Sequence, residues 1–328
     1  MSSTLAISSL IFAGKQVTIY GGITVVVAGV LGECLNMIVF LSLRTFRQNS
    51  CIFYLTVMSI LNIGELLADL LPRIMQTIYN TDGTETSLFY CKFRLYFTQI
   101  CTLLSLTCFC LATIDQYCAT CSRPRLQQLC NIKLARYLII IFSFIWILHG
   151  IPYLIYFQHI ILSTTGQITC AMVNTSYIKY RIYVVVLVLF GILPIIITVL
   201  FGLMAFHNIR QIPHYTIPLV RRELDKQLTV MVLLQNLMSF FTLLPYTVVN
   251  IISLNMKNPI DPLVQAQIQL SSAVTLLIYY IYYANPFYVY MCASERFRRQ
   301  LIYVLFKIHL NRWRQRPRII NNQVLPES

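Results

Sequence analysis

Charge is what this chain has least of. Only 11% of its 328 residues are Asp, Glu, Lys or Arg, and just 11 of these are acidic, whereas a soluble domain carries about 25%. With 57% of residues hydrophobic, that scarcity excludes a water-soluble fold and indicates a membrane protein. A cleavable leader is missing too. Residues 1–15 have no basic head, and the first apolar run continues to spanning length. The eleven cysteines lack the paired C-x-x-C spacing of zinc sites. His149, His159, His207, His214 and His309 form neither a His-x-x-x-His pair nor a nucleophile cluster. No metal, cofactor or catalytic centre is therefore expected, and the chain does not read as an enzyme. No internal repeat is visible, which argues against the common transporter plans.

What is present is a series of seven apolar stretches, at 17–43, 52–79, 93–117, 134–157, 180–206, 228–254 and 263–291. Each is of spanning length, and a backbone in lipid must satisfy its own hydrogen bonds, so each is expected to be a helix. The expected fold is an all-α bundle of seven transmembrane helices, with residues 1–16 as an extracellular N-terminus and 17–291 as the bundle. Residues 292–310 are expected to form an interfacial amphipathic helix, with Phe297, Leu301, Val304 and Leu305 on one face. Residues 311–328 read as a disordered cytoplasmic tail.

Orientation follows from Lys and Arg in the connections. One side holds Lys15, Arg73, Lys92, Arg94, Lys179, Arg181 and Lys257. The other holds Arg44, Arg47, Arg123, Arg125, Lys133, Arg136, Arg210, Arg221, Arg222, Lys226 and the basic tail. The positive-inside rule places the second group in the cytosol and the N-terminus outside. The net charge of +14 then reads as topology and attraction to anionic lipid, not as nucleic-acid binding. On this topology Cys91 and Cys170 are the two external cysteines, and an oxidising exterior makes them a disulfide pair. Asn174, in Asn-Thr-Ser, is an external glycosylation acceptor.

Polar residues inside the spans are costly in lipid and should face the bundle. Asn36 and Glu33 stand in the first span, and Glu33 reads equally well as a carboxyl kept protonated by burial. In the second, Asn62, Glu65, Asp69 and Arg73 lie along one helical stripe. Asp69 and Arg73, four apart, either pair with each other or serve a ligand or ion. Pro194, Pro245 and Pro286 interrupt the last three spans and suggest helices that bend.

Asn36, Asp115-Gln116-Tyr117 closing the third span, Trp146, Pro194, Pro245 and Asn285-Pro286, in this order, resemble the rhodopsin-like (class A) G-protein-coupled receptors. The resemblance covers about residues 29–306. It implies an extracellular ligand, a heterotrimeric G protein as partner, membrane lipid as surroundings, and the plasma membrane as location. Departures accompany it. Gln116 stands where the family has arginine, so Asp115 needs another cation, and Arg125, Lys133 and Arg136 are the nearby candidates. Asn62 stands where the family has a sodium-binding aspartate, with Glu65 one turn on as a substitute. Ser239 and Leu243 replace the sixth-span aromatic switch, and Tyr290 is one residue late for the Asn-Pro-x-x-Tyr pattern.

The seventh span lacks the lysine that a retinal Schiff base needs, with Tyr279 in its place. Thr98 occupies the place of the aminergic aspartate. The ligand positions the resemblance implies are Thr98, Gln99, Thr102, Tyr246, Asn250, Thr275 and Tyr279, with Arg73 and Arg94 at the mouth. An arginine there suits an acidic small molecule or a peptide; snorkelling of both arginines to lipid headgroups is the competing reading. A receptor-like protein with altered coupling and a membrane transporter or channel are the alternative functions.

Overall fold

The computed structural model describes residues 2–42, 47–161, 168–211, 219–255 and 261–308. The expected tail at 311–328 lies outside them. Helix α1 runs without a break from Ser2–Gln16 through a wider π-type turn, Val17–Gly21, into Gly22–Ser42. The helix thus starts well before position 17. At 1.5 Å per residue it is about 60 Å long, twice a hydrocarbon core. Helix α2 is Ser50–Tyr79, α3 Leu88–Thr120, α4 Ile132–Tyr156 and α5 Thr175–Arg210. Helix α6 is Leu219–Asn255, and α7 is Pro262–Ala284. Two short helices follow, α8 (Pro286–Ala293) and α9 (Glu295–Ile302).

Six of these helices, α1 to α6, are long and apolar enough to cross a membrane. Helix α7 is long enough, but Gln265, Gln267, Gln269 and its tyrosines reduce its hydropathy. On α4 the side chains of Ile140, Phe144, Leu148 and Ile151 point outward. A soluble protein rarely tolerates so continuous an apolar exterior, whereas lipid favours it.

Helix starts follow local chemistry. The side chains of Asn49, Ser87, Asn131, Asn174, Asp261 and Ser294 each accept a hydrogen bond from a backbone N–H two or three residues on. These caps satisfy donors that the first helical turn leaves open. Pro72 and Pro194 each follow a π-type stretch, Leu66–Leu70 and Arg181–Ile192, which absorbs the hydrogen bond that proline cannot make. Pro286 instead ends α7, so the stretch expected at 263–291 is two helices meeting at Asn285. Helix α2 stops at Asn80, whose φ of 57° is a left-handed cap that asparagine tolerates.

Helix α1 lies parallel to α7, and its glycines set the approach. A Cβ on Gly21 would come within 2.4 Å of a Leu277 methyl, and one on Gly29 within 2.8 Å of the Ala284 Cβ. Small residues of this kind let helix backbones close in lipid, where no hydrophobic force drives them together. The core behind this seam joins Phe40, Leu55, Met58, Leu66, Phe109, Tyr282, Phe287 and Tyr290.

An antiparallel hairpin, β1 (Phe157–Ile161) and β2 (Ile168–Met172), follows α4, with His159 opposite Cys170. At the other end, Phe297, Leu301 and Val304 are buried. Phe297 packs edge-on against Phe40, Phe287 and Tyr290. Phe297 and Leu301 of α9 are thus turned toward the bundle, and Ser294 caps the helix where the chain turns. Ile302, Tyr303 and Phe306 are exposed.

Candidate functional site

The outer end is organised by α3. Cys91 in its first turn is bonded to Cys170 of β2, with Cα atoms 5.9 Å apart. A His159 ring nitrogen lies 2.6 Å from the Thr84 carbonyl, so the hairpin also meets the α2–α3 loop. One turn inside Cys91, Arg94 pairs with Asp82 at 2.5 Å and approaches Asp69 at 3.6 Å. Arg73 donates to both Asp69 oxygens at 3.2 Å, and the Tyr280 hydroxyl donates to the same carboxylate at 2.5 Å. Asp82 accepts from the Thr84 amide and hydroxyl as well. Burial alone would raise its pKa, but these Thr84 bonds and the Arg94 guanidinium together hold it below the usual carboxylate value.

This cluster changes the reading of the two arginines. They stand near the mouth, but each is matched by a carboxylate, and Arg94 is only 6% exposed. The four-residue spacing of Asp69 and Arg73 resolves as the pair. An acidic ligand would have to displace Asp69 or Asp82 to reach Arg94, whereas Arg73 is 38% exposed and shares its charge with Asp69.

Deeper, the expected pocket residues divide. Tyr279 hydrogen bonds Tyr283 at 2.6 Å, Tyr283 approaches Thr102 at 3.5 Å, and the Tyr246 ring packs tilted on Tyr279 with centroids 4.6 Å apart. Glu65 faces the Thr102 hydroxyl, and its Oε2 has no partner. Gln99 turns the other way. It accepts from the Tyr153 hydroxyl at 2.8 Å, which in turn accepts from Arg181 at 3.2 Å, while Gln99 Nε2 is unpartnered. Thr98, Asn250 and Thr275 donate to carbonyls of their own helices. The structure therefore joins Thr102, Tyr246 and Tyr279 with Tyr283 and Glu65, while Tyr153 and Arg181 meet Gln99, and Tyr280 and Asp82 meet the arginine cluster. The run of tyrosines at 279–283 was visible in the sequence, but which of them face inward was not.

At mid-depth, Glu33 accepts from Asn36 and from Asn62, each at 3.0 Å, and Ser105 donates to Asn62 at 2.6 Å. The carboxylate beside Asn62 thus comes from α1. Glu65, the expected substitute, is turned toward Thr102, because one turn along α2 raises it out of this layer. Further in, α6 is held by neutral groups. Gln235 donates to Asn285 at 2.8 Å, and Asn236 donates to the Thr198 carbonyl at 3.0 Å. Thr229 donates to Gln116 at 2.9 Å, and Ser294 donates to Gln227 at 2.8 Å.

The inner end of α3 departs from expectation. Asp115 accepts from Ser50, in the first turn of α2, at 2.7 Å. Arg125, Lys133 and Arg136 form no ion pair among the described residues. The Asp115 carboxylate meets α2, while its backbone carbonyl accepts from Cys130, between Arg125 and the start of α4. Tyr117 packs on Phe201. Tyr290 is fully buried between Phe40 and Phe297, with its hydroxyl unpartnered. Asn174 is occupied as the cap of α5 through its oxygen, which leaves its amide nitrogen to other partners.

The model of the 7 transmembrane receptor (rhodopsin family) matches residues 32–290. No curated protein matches the chain. That match spans most of the chain, from the Glu33–Asn36 layer on α1 to Tyr290 on α8. A multi-pass membrane protein with this bundle and these internal polar layers belongs to the rhodopsin family of 7 transmembrane receptors.

Proposed function

We propose that the chain is a seven-pass receptor of the plasma membrane, with its N-terminus outside. An extracellular ligand, a small molecule or a peptide end, binds between α3, α6 and α7, and the signal passes to a heterotrimeric G protein as α5, α6 and α7 rearrange. The tethering of α6 carries this reading. Four neutral side-chain hydrogen bonds hold its inner half to α3, α5, α7–α8 and α9's cap. Each is made and broken without desolvating a charge. An arrangement held by several weak links can be shifted by a ligand that favours another arrangement. The outer residues supply the ligand with aromatic and uncharged polar contacts, Tyr246, Tyr279 and Thr102, beneath the hairpin tethered by Cys91 and Cys170. Asn174 lies on the external side and is open to glycosylation.

A second reading, a receptor that binds but couples weakly, is favoured by Gln116, which offers a G protein no charge. Both readings are tested in cells that display the chain, by G-protein subunit dissociation in the wild type and in Gln116→Arg. Ligand-dependent dissociation supports the first. Dissociation only in Gln116→Arg supports the second. Substrate-dependent current or uptake without dissociation would sink both and return the chain to the transporter class.

A further inference from the structure

A cavity of about 310 Å³ opens among the outer ends of α1, α2 and α7, within the size range of small-molecule sites. Its lining shares no residue with the Thr102, Tyr246 and Tyr279 group. Lys15, Gln76, Asn80 and Gln269 line one part of it, and Leu10, Ile11 and Leu270 line another. Its charge is unmatched. Arg73 and Arg94, deeper on α2 and α3, are bound by Asp69 and Asp82, but Lys15 forms no ion pair among the described residues.

Depth adds a constraint. Gly22–Ser42 alone covers about 30 Å. With the core placed on Gly22–Ser42, Lys15, seven residues further along α1, would stand about 10 Å beyond it, at headgroup level. The apolar wall next to it is Leu10 and Ile11 of the α1 extension, with Ile11 exposed.

We propose that this cavity binds a singly charged anionic amphiphile, its acidic group on Lys15 and the neighbouring amides, its apolar chain along Leu10, Ile11 and Leu270. One unpaired cation matches one negative charge, and the three amides can donate to the remaining oxygen lone pairs. The same chemistry is available from a free long-chain carboxylate and from an anionic lipid headgroup.

The test uses the whole chain in nanodiscs, with thermal unfolding as readout and decanoate as probe. Decanol serves as its uncharged counterpart. In discs of neutral phosphatidylcholine, decanoate should raise Tm saturably. Lys15→Gln should weaken its midpoint about fivefold, the worth of one partly exposed ion pair, and Lys15→Arg should restore it. Ala273→Phe, which fills the cavity from α7 and leaves Lys15 in place, should remove the saturable shift. Discs containing phosphatidylglycerol assign the source. A lost decanoate response there identifies the bilayer lipid as occupant, and a retained one identifies the free carboxylate. Equal midpoints for wild type and Lys15→Gln, a decanol response matching that of decanoate, or an unchanged response in Ala273→Phe would each overturn the proposal. No signalling is measured, so the result is independent of the receptor reading.

Discussion

Removing the Thr229 hydroxyl should raise signalling in the absence of ligand. In the structure that hydroxyl donates to Gln116 Oε1 at 2.9 Å, joining the inner ends of α6 and α3. Both side chains are almost wholly buried, at 1% exposure each. Side-chain hydrogen bonds between membrane helices average about 0.6 kcal/mol. Thr229→Val removes that contribution from the tethered arrangement and leaves Gln116 Oε1 unpaired, which costs about 1 kcal/mol more. An arrangement with α6 swung away, where the bond is already broken, loses nothing. The tethered form is therefore weakened by about 1.6 kcal/mol, which multiplies the ratio of released to tethered receptor by roughly 15. If the released form is rare, basal G-protein dissociation should rise nearly as much.

The control is a cycle with Gln116→Met. Replacing both partners by apolar groups removes the unpaired oxygen, so the double variant should lie much nearer to wild type than Thr229→Val does. The assay is subunit dissociation without ligand, with the variants matched for surface expression. Basal activity of Thr229→Val equal to that of wild type would refute the tether, and so would additive effects across the cycle.

Two further outcomes follow from the outer cluster and the glycine seam. Asp82 is held below its ordinary pKa of 3.8, so the unfolded chain binds its proton first as pH falls. Its contribution is complete above about pH 4 and is lost as the pH drops through the folded value. Asp82→Asn should lower Tm at pH 6 and flatten the acid limb below pH 4; a mutant with the same acid limb as wild type would show that Asp82 is not the group. At the seam, a Cβ on Gly29 meets Leu66 at 2.5 Å and Ala284 at 2.8 Å. Gly29→Val should therefore cost about 1–3 kcal/mol by overpacking and reduce surface expression, while Gly14→Ala, where the nearest atom is 3.8 Å away, should change neither.

The parts of the fold that follow local rules were legible in the sequence. Apolar length marked the long helices. The extension of α1 was not, because residues 2–16 mix serines with apolar residues and carry no periodic signal. The break at Asn285 was hidden because proline reads as a bend or as an end with the same letters. At the site, the Asp69–Arg73 spacing carried its own answer as one of two open readings. Asp82 could not be found, since a loop carboxylate gives no sign of reaching a helix one turn inside the next span. Tyr153 and Arg181 were missed for the same reason. Their meeting with Gln99 depends on how three helices are rotated, which composition does not encode.

The replacement of arginine by Gln116 and of aspartate by Asn62 looks, in sequence, like the loss of two charged locks. The structure gives a different account of both. Beside Asn62 the carboxylate has moved to α1 as Glu33, and it accepts from two amides at 3.0 Å. At Gln116 the charge is gone, and the α3–α6 connection survives as a neutral bond. A buried ion pair must recover a large desolvation cost, and breaking one leaves an uncompensated charge. A set of amide and hydroxyl bonds carries smaller penalties of both kinds, so each link is weaker than an ion pair and several share the load. Control of α6 is then spread over Gln116, Thr198, Gln227, Asn285 and their partners. Restoring an arginine at 116 would replace the amide oxygen that accepts from Thr229 by a donor-only guanidinium, so the Thr229 hydroxyl could keep a bond there only by turning to accept. Asp115, which accepts from Ser50 through one carboxylate oxygen, is the adjacent acid for that charge. The neutral form of the lock is thus built into the neighbours of Gln116 as well as into Gln116 itself.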